Sequence, residues 1–204
     1  GFIGWYMVSS GLVDRIDVSH YRLAVHLMIA FIILSLILWN YLDLKALTFP
    51  ERNISFYLSL FLLFIIYAQI SIGAFVSGMD AGTIYNTWPL MGPSYFPDDN
   101  KISNLFALSA FNDPSLVQFI HRNLAYLIIF FYIYIFFKIY RNKLKRLYGP
   151  INLIGLFLII QVILGIFTLI NGAQIYLASM HQISSIFLVS SCIYFLYLNK
   201  QVTN

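Results

Sequence analysis

The chain has 204 residues, of which 60% are hydrophobic, 18% aromatic and only 10% charged. A soluble domain carries about 25% charged residues, and 12 Lys+Arg with 8 Asp+Glu cannot solvate the surface of a globule this size. A soluble enzyme, a secreted disulfide scaffold and a disordered tail are excluded. The net charge of +4 does not point to nucleic acid, because the basic residues gather in one short segment between apolar runs.

In chain order, the first apolar stretch, Gly1 to Val8, is too short to span a bilayer. With no charged segment ahead of it, it does not read as a signal peptide; the chain is expected to begin inside a helix of a longer protein. Five full spans follow, at about 22–42, 54–78, 117–137, 151–170 and 177–198, each long enough to cross hydrocarbon at about 1.5 Å per residue. Their composition lacks the alternation of a membrane β-barrel, so the expected fold is all-α, a polytopic helix bundle. The long connection 79–116 holds Pro89, Pro93, Pro97, Asp98, Asp99, Asp113 and Pro114 and cannot lie in lipid. Between the third and fourth spans stand Lys138, Arg141, Lys143, Lys145 and Arg146 without an acid. By the positive-inside rule that loop faces the cytoplasm or a mitochondrial matrix, as does 43–53 with Lys45 and Arg52, and 79–116 faces outward. Trp5, Tyr85 and Trp88 fall near the outer interface, Trp39 and Tyr41 near the inner one.

His26, His121 and His181 each lie inside a span, four to five residues from the end that this topology places outside. Three ionisable residues at one depth, roughly 6–8 Å inside the boundary, are a functional signal, because an unpaired polar group is expensive there. Two neutral imidazoles on facing helices suit axial ligation of a haem iron. Arg122 and Arg22 stand beside His121 and His26 as cations for propionates. The competing reading is that each histidine merely bonds a neighbouring helix. Zinc fits less well, for lack of Cys or carboxylate ligands at that depth. His20 reads as an interfacial side chain, Cys192 as a small core residue, and Gln69, Gln118 and Gln161 as interhelical glue.

Gly4–Gly11 and Gly165–Gly172 share a G-x6-G pattern at the end of an apolar stretch, and each precedes a helix with a histidine near its outer end, His26 or His181. The elements at 1–42 therefore look repeated at about 155–198. His181 has a partner in His121; the helix that would hold the partner of His26 is expected before residue 1. Two four-helix halves follow as an expectation: residues 1–48 a remnant of the first, residues 49–204 the second.

The segments GWYMVSSGL (4–12), VSHYRLAVHL (18–27), GAFVSGMDAGTIYNTWPLMG (73–92), VQFIHRNLAY (117–126) and LASMHQ (177–182) resemble the haem A synthase family, above all its mitochondrial and alphaproteobacterial branch. The resemblance implies two pseudo-symmetric four-helix bundles. It implies haem b between His121 and His181 in the carboxy-terminal bundle, with Arg122 beside it. In the amino-terminal bundle it implies haem O as substrate at His26 and Arg22, giving three iron-binding positions, His26, His121 and His181. The implied reaction oxidises the C8 methyl of haem O to a formyl group with molecular oxygen, making haem A for cytochrome oxidase. An electron donor and haem O synthase are implied partners, and the bacterial inner or mitochondrial inner membrane the location, with the haem sites toward the outer side. The family's catalytic Glu, in an E-x-x-H-R motif, is expected before residue 1; Gln118 holds the repeat-related position, and this piece alone is expected not to turn over. Gram-positive relatives carry cysteine pairs in the outer loops, and this chain has none. The signature loop 79–92 could cover a haem edge or simply close the bundle. Two other readings stay open: a non-catalytic b-type cytochrome that passes electrons, and a small-solute transporter with structural histidines.

Overall fold

A computed structural model describes residues 1–11, 18–45 and 54–200. Six helices run through it: α1 (Phe2–Gly11), α2 (His20–Leu44), α3 (Phe56–Gly78), α4 (Pro114–Arg141), α5 (Tyr148–Ile170) and α6 (Ile175–Leu198). Short 3-10 turns occupy Ala81–Thr83, Ile102–Phe106, Leu108–Asn112 and Lys145–Leu147, and no strand occurs among the described residues. α2 to α6 are long and apolar enough to cross a membrane, with no more than two charged residues in the span window of each, so the chain is a multi-pass helical membrane protein. The expected boundary at 48–49 and Arg52 lie outside the described residues.

Four spans begin two to three residues ahead of the hydropathy boundaries, α2 at His20, α4 at Pro114, α5 at Tyr148 and α6 at Ile175, while α3 begins two residues behind its boundary, at Phe56. Polar first turns are helical but carry no hydropathy signal. At α4 the cause is explicit. Asp113 caps the helix, its Oδ1 accepting the Leu116 amide at 3.0 Å, and Pro114 opens the first turn with φ already set for helix. At the other end Lys138 and Arg141 stand in the last turn, where cations complement the exposed carbonyls.

α3 packs on both α4 and α6, and α5 packs on the same two helices, which sets α4 and α6 diagonally across a four-helix bundle. α2 lies against α3 and α6, and α1 against α2. The bundle thus has two ends: a loop end, where 79–113 covers the starts of α2, α4 and α6, and a basic end at 138–146. The start of α2 approaches the end of α3 closely: a Cβ on Gly78 would stand 2.8 Å from the His20 Cα. The loop is tied down by Tyr21 donating to Asn112 at 2.9 Å and Tyr95 donating to Asn123 at 2.6 Å. Phe111 packs edge-on to Phe75, and Phe119 edge-on to Tyr95 and Phe96.

The packed core sits toward the basic end. Leu62, Ile135, Ile139, Ile151, Ile154, Val189 and Phe195 are fully enclosed there, with Cys192 among them as expected. Large apolar side chains on the outside, such as Phe64, Phe130, Phe137 and Ile159, stay exposed, as a hydrocarbon solvent permits.

Candidate haem-binding site

The three histidines occupy equivalent places. His26 lies six residues after the start of α2, His121 seven after the start of α4 and His181 six after the start of α6. All are near the loop end, about 9–10 Å along their helices at 1.5 Å per residue. None is fully buried.

Each imidazole rests against a glycine of the preceding helix. A Cβ on Gly73 of α3 would stand 3.1 Å from His121 Cε1, one on Gly165 of α5 would stand 3.1 Å from His181 Cε1, and one on Gly4 of α1 would stand 2.9 Å from His26 Cε1. These are seats for the ring edge, and a larger residue would push the ring aside. The G-x6-G pattern was visible in the sequence at Gly4 and Gly165; its role as a seat, and the third seat at Gly73, were not. The recurring signal that could have found the third is the glutamine four residues earlier, Gln69 before Gly73 and Gln161 before Gly165.

Those glutamines bridge helices, as the glue reading expected. Gln69 Nε2 donates to the backbone carbonyl of His121 at 3.1 Å and approaches its ring Nε2 at 3.3 Å. Gln161 Nε2 donates to the carbonyl of His181 at 3.0 Å and also to Ser184 Oγ. The Nδ1 atoms of His121 and His181 are buried without a protein partner. Polar groups left so inside an apolar bundle call for an explanation.

The structure brings His121 and His181 into one bundle, on diagonal helices and near its loop end. His26 lies apart from that pair, on α2 against α1. Among the described residues no three His, Cys, Asp or Glu gather into one metal site; His26, His121 and His181 therefore do not form a single three-ligand centre. His20 packs on Tyr21 and edge-on to Phe75 at the loop end.

The surroundings of the pair are open. Between Phe119 and Leu127 α4 buries no residue; α5 buries none after Leu158, and α6 none before Leu188. Imidazole seats and a loosely closed half-bundle are what a planar group held by two imidazoles requires. The donor set fits a haem.

Arg122 holds the lid. Its Nη1 donates to the carbonyls of Thr87 (2.9 Å) and Leu90 (3.1 Å), its Nη2 to the Tyr85 carbonyl (2.9 Å) and to Gln118 Oε1 (3.3 Å). Its Nε is buried without a partner, and no carboxylate pairs with it among the described residues. Gln118, itself buried, donates to the carbonyls of Ala81 (2.9 Å) and Tyr85 (3.2 Å). Asn86 bridges the Gly82 carbonyl and the Leu169 carbonyl of α5, both at 2.8 Å. The 79–92 segment is thus buckled over α4 and α5 through its own backbone, a contact set that residue patterns cannot show. Farther out, burial and the bond to Asp98 push the Tyr85 phenol up to about 12, so it remains a donor. Arg22 lies over the Tyr6 ring of α1, 5.2 Å from its centre.

A membrane helix bundle with paired intramembrane histidines under a buckled loop is the class that fold and site define. Comparison with known proteins sharpens it. The model of the cytochrome oxidase assembly protein family matches residues 1–193, and the chain belongs to that family. It is 45% identical over 200 residues to "Heme A synthase" of Pelagibacter ubique, covering 98% of this chain and 59% of the relative. It is 40% identical over 205 residues to the protein of that name from Flavobacterium johnsoniae (97% and 59%). To that of Wolbachia pipientis it is 41% identical over 209 residues (100% and 58%). The chain therefore spans about three-fifths of the length of these curated relatives. No solved structure matches it.

Proposed function

We propose that the chain forms the cofactor-holding part of a membrane-bound oxidoreductase that oxidises the C8 methyl of haem O to the formyl group of haem A. The observation that carries this reading is the His121–His181 pair: two imidazoles at one depth on diagonal helices, each seated on a glycine of the preceding helix. The relatives' printed name supports the reaction class.

In this reading residues 49–204 are a haem b bundle and residues 1–48 belong to the substrate side. His121 and His181 hold the cofactor through neutral imidazole. A haem b bound there supplies reversible one-electron redox chemistry. Arg122, whose charge meets backbone carbonyls and no carboxylate among the described residues, offers compensation to a propionate while keeping the 79–92 lid in place. His26, with Arg22 one turn earlier, takes the substrate haem O. Molecular oxygen as oxidant, an electron donor and a haem O synthase as neighbour complete the scheme. The membrane is the bacterial inner or mitochondrial inner one, with the loop end outward, as the basic segment 138–146 supports.

The test is the reduced-minus-oxidised visible spectrum of the detergent-purified chain, with haem extracted and quantified. A low-spin bis-imidazole signal that His121→Ala and His181→Ala abolish and His20→Ala keeps is the expected result. A well-folded wild type that carries no haem overturns it.

A further inference from the structure

Two polar side chains in the apolar bundle occur in the same arrangement, and neither is needed for helix formation. Gln69 and Gly73 on α3, and Gln161 and Gly165 on α5, are each four residues apart and so share one helix face. In both pairs the glutamine bonds the backbone carbonyl of the histidine on the next helix, at 3.1 Å and 3.0 Å, while the glycine receives that histidine's ring edge.

We propose that each Gln-x3-Gly pair is a histidine clamp, Gln69–Gly73 positioning His121 and Gln161–Gly165 positioning His181 as ligands. The clamp works through two contacts on one residue. A helix carbonyl that already serves its own ladder keeps a second lone pair, and the amide N–H from the neighbouring helix fixes the axial register of the pair there. Register then decides that a glycine, not the bulky residue beside it, faces the ring. Because a carbonyl only accepts, the glutamine nitrogen must face it, which fixes the amide's orientation.

The two clamps differ in one respect. The Gln69 amide also points at His121 Nε2, so that nitrogen is the acceptor and the ring hydrogen sits on Nδ1. His121 is thereby held with the Nε2 lone pair available, the form that binds a metal, and Gln69 retains the carbonyl when the ring nitrogen takes another partner. At His181 the second amide contact goes to Ser184, whose hydroxyl also donates to the His181 carbonyl at 3.0 Å. That ring is positioned through its backbone and its seat on Gly165, with no glutamine contact to the ring itself.

The proposal rests on His121 and His181 being the ligands proposed above, and its test separates the two. Gln69→Met, Gln161→Met and Gly73→Ala are compared with wild type and with Tyr67→Phe. The last removes a bond between α2 and α3, Tyr67 with Ser35, that touches no histidine. Second-layer partners of a metal ligand typically contribute 10–100-fold in affinity, so each glutamine variant is expected to hold haem about 10-fold more weakly. The low-spin electron paramagnetic resonance signature should move in all three clamp variants. Tyr67→Phe should leave both readouts alone. Gly73→Ala removes no hydrogen-bonding group and acts only by crowding the ring, so it reports on the clamp even where a glutamine variant folds poorly. Unchanged signature and affinity in all three overturn the clamp. If wild type carries no haem, the reading of the previous section falls. The clamp is then read from histidine ring nitrogen-15 shifts in the same proteins. Gln69→Met and Gly73→Ala should shift His121 and leave His181 in place; equal shifts at both or at neither overturn it.

Discussion

From Leu188 to Leu198 α6 buries nine residues, whereas from Ile175 to Phe187 it buries none. α5 repeats the contrast, with its buried residues confined to Pro150–Leu158. At the basic end the helices interlock through Ile135, Ile139, Ile151, Ile154, Val189 and Phe195; at the loop end they meet through glycines, glutamine amides and a buckled loop. The difference teaches where each requirement is met. In lipid, helix association draws on packing and interhelical hydrogen bonds more than on the hydrophobic effect. Dense packing at one end holds the bundle together, so the other can leave room around its imidazoles. There the helices are aligned by directed polar contacts, which fix register without filling space.

Substitutions can break this comparison, and the largest effect is expected at the proposed ligands. His121→Ala or His181→Ala should abolish the bis-imidazole spectrum while the bundle keeps its thermal stability, because neither side chain is part of the packed core. A loss of folding equal to the loss of spectrum would erase the distinction between the halves. The converse experiment is Phe195→Ala, at a fully enclosed position. It should destabilise by about 3–5 kcal/mol, the usual consequence of an aromatic-sized cavity, measured by denaturant or thermal unfolding in detergent, with the haem spectrum per folded molecule unchanged.

Third in size is the lid. Arg122→Leu removes the donors to the Tyr85, Thr87 and Leu90 carbonyls and should cost about 2 kcal/mol locally. At 1.4 kcal/mol per tenfold, hydrogen exchange at the Gly92 amide, now bonded to Thr87 Oγ1 at 2.8 Å, should quicken by about 30-fold. Exchange in α6 beyond Leu188 should not change.

The smallest effect is expected with pH. Burial tends to raise the Asp99 carboxyl, yet bonds from Ser115, Asn100 and Tyr85 hold it below its ordinary value. A carboxyl lowered on folding contributes stability that is present above its unfolded pKa and lost as pH falls through the folded one. Exchange in the 94–113 loop should therefore rise below the normal carboxylate range and stay flat around neutrality, with the basic end indifferent. Asp99→Asn should remove that dependence.

Much was legible before any coordinates. The five spans, the short apolar stretch at 1–8, the shared depth of three histidines and the core place of Cys192 all come from composition and spacing. These are one-dimensional quantities: 20 apolar residues span hydrocarbon whatever they pack against, and depth follows from residues counted along a helix. Helix starts were read late because capped polar turns, as at Asp113–Pro114, leave no hydropathy mark. The sequence marks Arg122 by its charge beside His121, but its bonds to three loop carbonyls leave no sequence signal; backbone acceptors have no letter in a sequence.

The sequence by itself determined that this is a helical membrane protein with histidines at a common depth, because hydrocarbon forces helices and makes each polar residue conspicuous. Tertiary structure alone decided which glycines they sit on and which amides reach their carbonyls. Those depend on the rotation and register of one helix against another, and a shift of a single residue, about 1.5 Å along the axis and 100° around it, would undo both.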